Sequence, residues 1–148
     1  MELAEILHSI ELFDGLDEHE IQQVSLICKE RKLHMGEMLT TQGSPGDDLY
    51  IVTEGFLEVL IGDSGQSPSR VVVNLGPGQI VGEMSLIDQG PRSATVRAIE
   101  ESTVVQVIQR EEFERLCQSN YHIGYVVMRN MAADLSFKLR HRNLSERG

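Results

Sequence analysis

The 148-residue chain is 41% hydrophobic and 24% charged, ordinary for a globular protein and long enough for one sizeable core. Its formal net charge of −10 argues against DNA or an anionic lipid surface as a partner of the domain body, and it leaves any bound phosphate dependent on local donors. No apolar run approaches the ~20 residues of a membrane span, Met1-Glu2-Leu3-Ala4-Glu5 lacks the basic-then-apolar order of a signal peptide, and the two cysteines, Cys28 and Cys117, read as buried free thiols, so the chain is expected to be cytoplasmic.

Residues 1–30 read as helical. Leu3, Ile6, Leu7 and Ile10 recur at helical spacing, and Leu12-Phe13-Asp14-Gly15-Leu16 turns the chain. Asp17 followed by Glu20 is a capping-box pattern, with Ile21, Val24, Leu26, Ile27 and Cys28 as the apolar stripe of the helix behind it. From residue 31 the period changes to two. Short strands are expected at Lys32–Met35, Glu37–Thr41, Asp48–Val52, Phe56–Ile61, Arg70–Leu75, Thr95–Ile99 and Thr103–Ile108. Turn clusters separate them at Gly43–Asp48 and Gly76–Gly78, and a polar loop at Gly62–Ser69. The expected class is α+β, mainly β: a jelly-roll (double-stranded β-helix) barrel over about 31–109, flanked by N-terminal helices and by C-terminal helices over about 110–145. Glu111–Cys117 reads as a short helix with Phe113 and Leu116 inward. Ser119 or Asn120 then caps a long helix from about Tyr121 to Leu144. Its apolar positions Ile123, Val126, Val127, Met131, Leu135 and Leu139 fall near heptad spacing. Such a helix outreaches a small barrel, so part of its stripe needs another partner. Lys138, Arg140, His141, Arg142 and Arg147 complement its C-terminus and read as solvated.

Gly82 to Val96, GEMSLIDQGPRSATV, carries the chemistry. Met84, Leu86 and Ile87 suit one helical turn packed on a core. Gly82 lets the backbone approach a ligand closely, and the unpaired N–H groups opening the turn suit an anion. Arg92, after the Gly90-Pro91 turn, supplies a planar charged fork for phosphate oxygens. Glu83 is an acceptor suited to a ribose hydroxyl, a role distinct from that of Arg92. Singly, each residue has a plainer explanation: Arg92 as a surface ion-pair partner, Glu83 as a helix N-terminal carboxylate, Gly82, Gly90 and Pro91 as turn residues, Ser93 as a strand residue. Together, in order, they favour a pocket for a phosphodiester beside a free 2′-hydroxyl, the two features of a cyclic mononucleotide.

The segment resembles the phosphate-binding cassette of cyclic nucleotide-binding domains, the family of the bacterial catabolite activator protein and of the regulatory subunits of cyclic-nucleotide-dependent kinases. The shared order is Gly82-Glu83-Met84-Ser85-Leu86-Ile87, then Asp88-Gln89-Gly90, then Pro91-Arg92-Ser93-Ala94; Val81 and Ser85 stand where the family has Phe and Ala. The run Leu39-x-x-x-Gly43-x-x-Gly46-x-x-Leu49-Tyr50-Ile51-Val52-x-x-Gly55 resembles the family's first signature, with Thr40 and Ser44 as departures. The resemblance covers roughly residues 10 to 140.

The resemblance implies a cyclic nucleotide sensor, not an enzyme. Arg92, the amides of Met84 and Ser85 and the Ser93 hydroxyl would hold the phosphate; Glu83 and Gly82 would hold the ribose. It also implies that the long helix is a lid over the base, a homodimer interface, and the route to a downstream protein partner. Lys138 and Leu139 stand where the family's helix has hydroxyl residues. Cyclic AMP is favoured over cyclic GMP, with Ser93 compatible with either. No helix-turn-helix, kinase, channel or cyclase segment is expected, so residues 1–148 read as one binding domain, stand-alone or cut from a longer protein. Two other classes stay open: a ligand-free interaction or dimerisation scaffold, and a metal enzyme on a cupin-like barrel. For the latter, His8, His19, His34, His122 and His141 lack ligand spacing.

Overall fold

The computed structural model describes residues 2–62 and 70–147, without the side chains of Val72 and residues 143–147; most of the loop expected at Gly62–Ser69, and the Arg147 side chain, lie outside the described residues. In chain order the elements are α1 (Leu3–Ser9), a 3-10 turn at Glu11–Phe13, α2 (Glu18–Leu26), β1 (Cys28–Leu33), β2 (Met38–Thr40), β3 (Asp48–Glu54), β4 (Leu57–Ile61), β5 (Arg70–Leu75) and β6 (Ile80–Val81). A second 3-10 turn at Glu83–Leu86, β7 (Thr95–Ala98), β8 (Thr103–Gln109), α3 (Arg110–Ser119) and α4 (Tyr121–Arg147) complete it. α2 starts where the capping box predicts: Asp17 Oδ1 accepts from the Glu20 amide at 2.8 Å and the Glu20 carboxylate accepts from the Asp17 amide at 3.2 Å.

The strands form two four-stranded antiparallel sheets, β1-β8-β3-β6 and β2-β7-β4-β5. This is the expected jelly-roll class, with one correction: the sheets are not closed as a barrel. Side-chain packing joins them where a barrel would continue the hydrogen-bond ladder. β3 shows why its sequence is apolar throughout. Tyr50 and Val52 point between the sheets with Leu33, Leu57, Leu75, Val96 and Val105, while Leu49 and Ile51 join the cluster under the helices. β6 is only two residues long, and the chain leaves the sheet there, opening room for a site beside Glu83–Leu86.

The helical layer is a second core. Ile6, Leu7, Phe13, Ile21 and Val24 pack with Phe113, Ile123, Val126, Val127 and Met131. Leu86 belongs to this same cluster, so the turn after β6 rests directly on the core that holds α4. Three expectations are corrected. Leu26 is 83% exposed, because the helical stripe of α2 ends at Val24. Cys28 opens β1 instead of closing the α2 stripe, so the strands begin three residues before 31. Both cysteines are free but only half buried, and burial pushes the thiols of Cys28 and Cys117 up to about 12 and about 11, so both stay protonated. No helix among the described residues is long and apolar enough to cross a membrane.

Replacing the fully buried Ile123 by Ala should cost about 2–5 kcal/mol in urea unfolding, by lost transfer energy and a residual cavity. Leu26→Ala, on the solvent side of α2, should stay within about 0.5 kcal/mol.

Candidate functional site

The backbone of Arg92 is fixed by groups brought from over forty residues away. Its amide donates to the Ser44 carbonyl at 2.7 Å, and its carbonyl accepts from the Gly43 amide at 2.8 Å. Pro45 and Pro91 form a bridge beside these bonds. The 41–47 loop therefore clamps the Arg92 backbone like a short strand. The guanidinium is held as firmly: Nη1 donates to Ser85 Oγ at 2.8 Å and Nη2 to the Asp48 carbonyl at 3.0 Å. Its Cζ stands 5.5 Å from the centroid of the Tyr50 ring. Tyr50 donates to Asp48 Oδ2 at 3.3 Å, and burial, with that carboxylate, pushes the phenol above its ordinary range and keeps it a neutral donor. A guanidinium has five N–H donors, so N–H groups remain after these two bonds, in a fixed plane, for an incoming anion.

Two glycines make this placement possible. A Cβ at Gly46 would lie 1.9 Å from Arg92 Nε and 2.2 Å from Cζ. Gly82 has φ +88°, and a Cβ there would lie 2.6 Å from both Arg92 Nη1 and the Asp48 carbonyl oxygen. The space that Gly82 was expected to leave for a ligand is thus first needed by Arg92 itself.

A cavity of about 450 Å³ opens beside this arrangement. Its polar wall is made of Gly82, Glu83, Met84, Ser85, Arg92 and Ser93, so all the expected site residues line one space; Val59, Val73 and Leu75 of the second sheet form the apolar wall. Ser85 is buried, accepting from Arg92, and its amide already donates to the Gly82 carbonyl at 3.0 Å within the 3-10 turn. It is therefore a support for Arg92 as much as a free donor. Ser93 is exposed at the mouth. Asp88 also lines the cavity and is tied back by accepting from the Gly90 amide at 3.0 Å, a local turn.

A second cavity, of about 480 Å³, shares Leu75, Ile80 and Glu83 with the first and extends to α4, where Asp134 and Lys138 line it. Glu83 therefore stands at the joint between the two. Lys138 Nζ lies 2.8 Å from Asp134 Oδ2, and that carboxylate, with Glu83 adding, holds the ammonium above its usual range. Of the two lid positions expected, Lys138 is here; Leu139 is on the outward side of α4, 59% exposed.

Gly46, Asp48 and Tyr50 were missed as site residues. Gly46 reads in sequence as a turn residue and Asp48 as the start of a strand, because the bonds that matter run from a backbone carbonyl and a missing Cβ. The only signal was the spacing Gly43-x-x-Gly46-x-x-Leu49. Among the described residues no group of three or more His, Cys, Asp or Glu side chains converges as a metal would require.

Residues 30–120 match the sequence model of the cyclic nucleotide-binding domain. The chain is 33% identical over 131 residues to a cAMP-dependent protein kinase regulatory subunit of Dictyostelium discoideum, spanning 86% of this chain and 38% of that protein. It is 32% identical over 133 residues to the cyclic AMP receptor protein of Thermus thermophilus, 90% of this chain and 59% of that protein. It therefore spans less than two thirds of both. Among solved structures, the N-terminal domain of a transcriptional regulator from Streptomyces coelicolor superposes with a TM-score of 0.84 at 27% identity, covering 93% of this chain and 94% of that one. The regulatory domain of Toxoplasma gondii protein kinase A, solved with cAMP, gives 0.75 at 28% identity over 90% of this chain and 48% of that one.

Gly46→Ala should push Arg92 off Ser85 and Asp48, costing about 1–3 kcal/mol in urea unfolding through the stranded partners and the displaced side chain. Gly43→Ala is the control: nothing lies within 4 Å of its Cβ, so only the strain of φ +87° remains, about 1 kcal/mol.

Proposed function

The chain belongs to the cyclic nucleotide-binding domain family, and we propose that it is a cyclic mononucleotide sensor with cyclic AMP as its ligand. The observation that carries this reading is the pre-set guanidinium of Arg92 facing an open, half-apolar cavity. The exocyclic oxygens of the phosphate take the remaining N–H groups of Arg92, the Met84 amide and the Ser93 hydroxyl, with the Ser85 amide as a shared donor. Glu83, at the joint of the two cavities, accepts from the ribose 2′-hydroxyl, with Gly82 beside it. The purine rests on Val59, Val73 and Leu75 and reaches toward α4. A cavity of this size walled by a held arginine disfavours the scaffold reading, since a scaffold gains nothing from either.

The choice of adenine rests on the names of the relatives, a cyclic AMP receptor and a cAMP-dependent kinase regulatory subunit, and on the structure solved with cAMP. Residues 1–148 act as one sensing unit, in the cytoplasm, and α4 is the output. Ligand contacts reach α4 by two routes: Glu83 shares a cavity with Lys138, and Leu86 shares a core with Ile123 and Met131. A ligand shifts α4 only by as much as it binds one helix position better than the other.

The output is dimeric. Ile123, Val126, Val127 and Met131, expected at a heptad seam, are buried inside the chain's own core. The outward positions of α4 along one line are Tyr121, Tyr125, Ala132 and Leu139, spaced by four, seven and seven residues, while Met128 and Leu135 between them are half buried against the chain's own core. Tyr121 is 82% and Tyr125 64% exposed. A second copy of α4, laid along this stripe, covers it.

Titration calorimetry with cyclic AMP and cyclic GMP in parallel tests the ligand. Arg92→Ala should weaken cyclic AMP binding by at least about tenfold to a hundredfold, the worth of about 1.5–3 kcal/mol of charge-assisted contact. Wild-type affinity in that variant would remove the cavity from consideration. Tyr125→Asp with Leu139→Asp should convert a dimer to a monomer in sedimentation velocity, with the melting temperature of the domain little changed because both side chains are exposed.

A further inference from the structure

Glu20 is the acid of the α2 capping box, a position that ordinarily faces water, yet it is only 4% exposed. Its carboxylate accepts from the Asp17 amide, from Asn120 Nδ2 at 3.1 Å, and from His122 Nδ1, which lies 2.8 and 3.0 Å from its two oxygens. An ionised carboxylate only accepts, so the His122 ring donates from Nδ1–H here. Burial acts to raise the Glu20 pKa, and the bonds from His122, Asp17 and Asn120 outweigh it, holding the group below the usual carboxylate range. The carboxylate also lies near the N-terminal ends of both α2 and α4, where the helix dipoles favour a negative charge.

Asn120 is the single residue between α3 and α4. Its amide closes α3 on the Leu116 carbonyl at 2.9 Å, and its Oδ1 caps α4 by accepting from the His122 amide at 3.1 Å. Its Nδ2 donates both to Glu20 and to Gln23 Oε1 at 3.1 Å. Ten residues further along α4, Asn130 Nδ2 donates to the carbonyls of Leu12 and Asp14 at 2.9 and 2.8 Å. Polar bonds thus pin α4 to the N-terminal segment at its start and at Asn130. Beyond Met131 every α4 residue through Arg142 is exposed except the half-buried Leu135.

We propose that Glu20 is a positioning residue for α4. It ties the α3–α4 joint to α2, so that the N-terminal helices and residues 120–131 move as one body and only the distal part of α4 works as a lever. If His122 and Asn120 moved away while Glu20 stayed covered, its carboxylate would be a buried, under-paired charge, and that cost opposes separation of the joint from α2. The role of α4 as output rests on the sensor reading above; the tie itself does not.

Hydrogen exchange on the full chain tests both separately. Without ligand, Glu20→Gln should speed exchange of the amides around Asn120–Ile123 by about tenfold or more, the worth of a charge-assisted bond, and leave β3 and β8 unchanged. Should that variant fail to fold, His122→Ala, at a half-exposed side chain, should give the same local effect. His122→Gln, which keeps an N–H donor, should restore most of the protection, a rescue that loss of packing alone would not show. With saturating cyclic AMP, the wild type should gain protection in the cassette and in the distal part of α4, and Glu20→Gln in the cassette alone. Wild-type exchange at the joint in Glu20→Gln or His122→Ala, or failure of His122→Gln to rescue, would overturn the tie. Absence of any change with cyclic AMP in the wild type would instead count against the sensor reading while leaving the ligand-free comparison to decide the tie.

Discussion

The structure depends on one guanidinium held in place by the protein's own groups. Arg92 is bonded to Ser85 and to the Asp48 carbonyl, stacked near Tyr50, and admitted only because Gly46 and Gly82 have no Cβ. An arginine left free loses up to about 2 kcal/mol of side-chain entropy when it closes on a phosphate. Here folding has already met that cost. The net charge of −10 sharpens the point: the overall field repels an anion, so attraction must come from a short-range, pre-oriented donor set.

From this constraint the architecture makes sense. The 41–47 loop and the segment after β6 come from separate parts of the chain, and the two-sheet arrangement brings them together. β3 delivers Asp48 and Tyr50, while the short β6 releases the chain into the turn that carries Glu83 and Ser85. Leu86 anchors that turn in the helical core, where Phe113, Ile123 and Met131 also sit. The turn therefore packs in one core with α4, and its Glu83 lines one cavity with Lys138.

Much of this was legible in the residues. The Asp17 and Glu20 spacing located α2, and the order Gly82-Glu83 to Pro91-Arg92-Ser93 located the polar wall of the cavity. The Val71-Val72-Val73 run, followed by the Gly76-Pro77-Gly78 turn, placed β5 at Arg70–Leu75, where the structure has it. What stayed hidden has a common cause. Contacts through backbone carbonyls, such as Asp48 with Arg92, carry no side-chain signature. Contacts over about a hundred residues, such as Glu20 with Asn120 and His122, have no spacing to read. The α4 stripes were confused because Ile123 and Val126 are more apolar than Tyr121 and Tyr125. The more hydrophobic stripe went to the chain's own core, and the aromatic one faces out. Barrel closure was misjudged because alternation marks strands, not which edges meet.

The most direct measurement is a titration of isotope-labelled protein with cyclic AMP, following the Arg92 side-chain Nε–H and the amides of Gly82 to Ser93 by NMR. A saturable shift of Arg92 Nε–H together with the Glu83, Met84 and Ser85 amides, at one ligand per chain, is the expected result. Binding that leaves the Arg92 resonance unmoved while shifting signals elsewhere, or no shift with either purine nucleotide, would contradict a phosphate seated on this arginine.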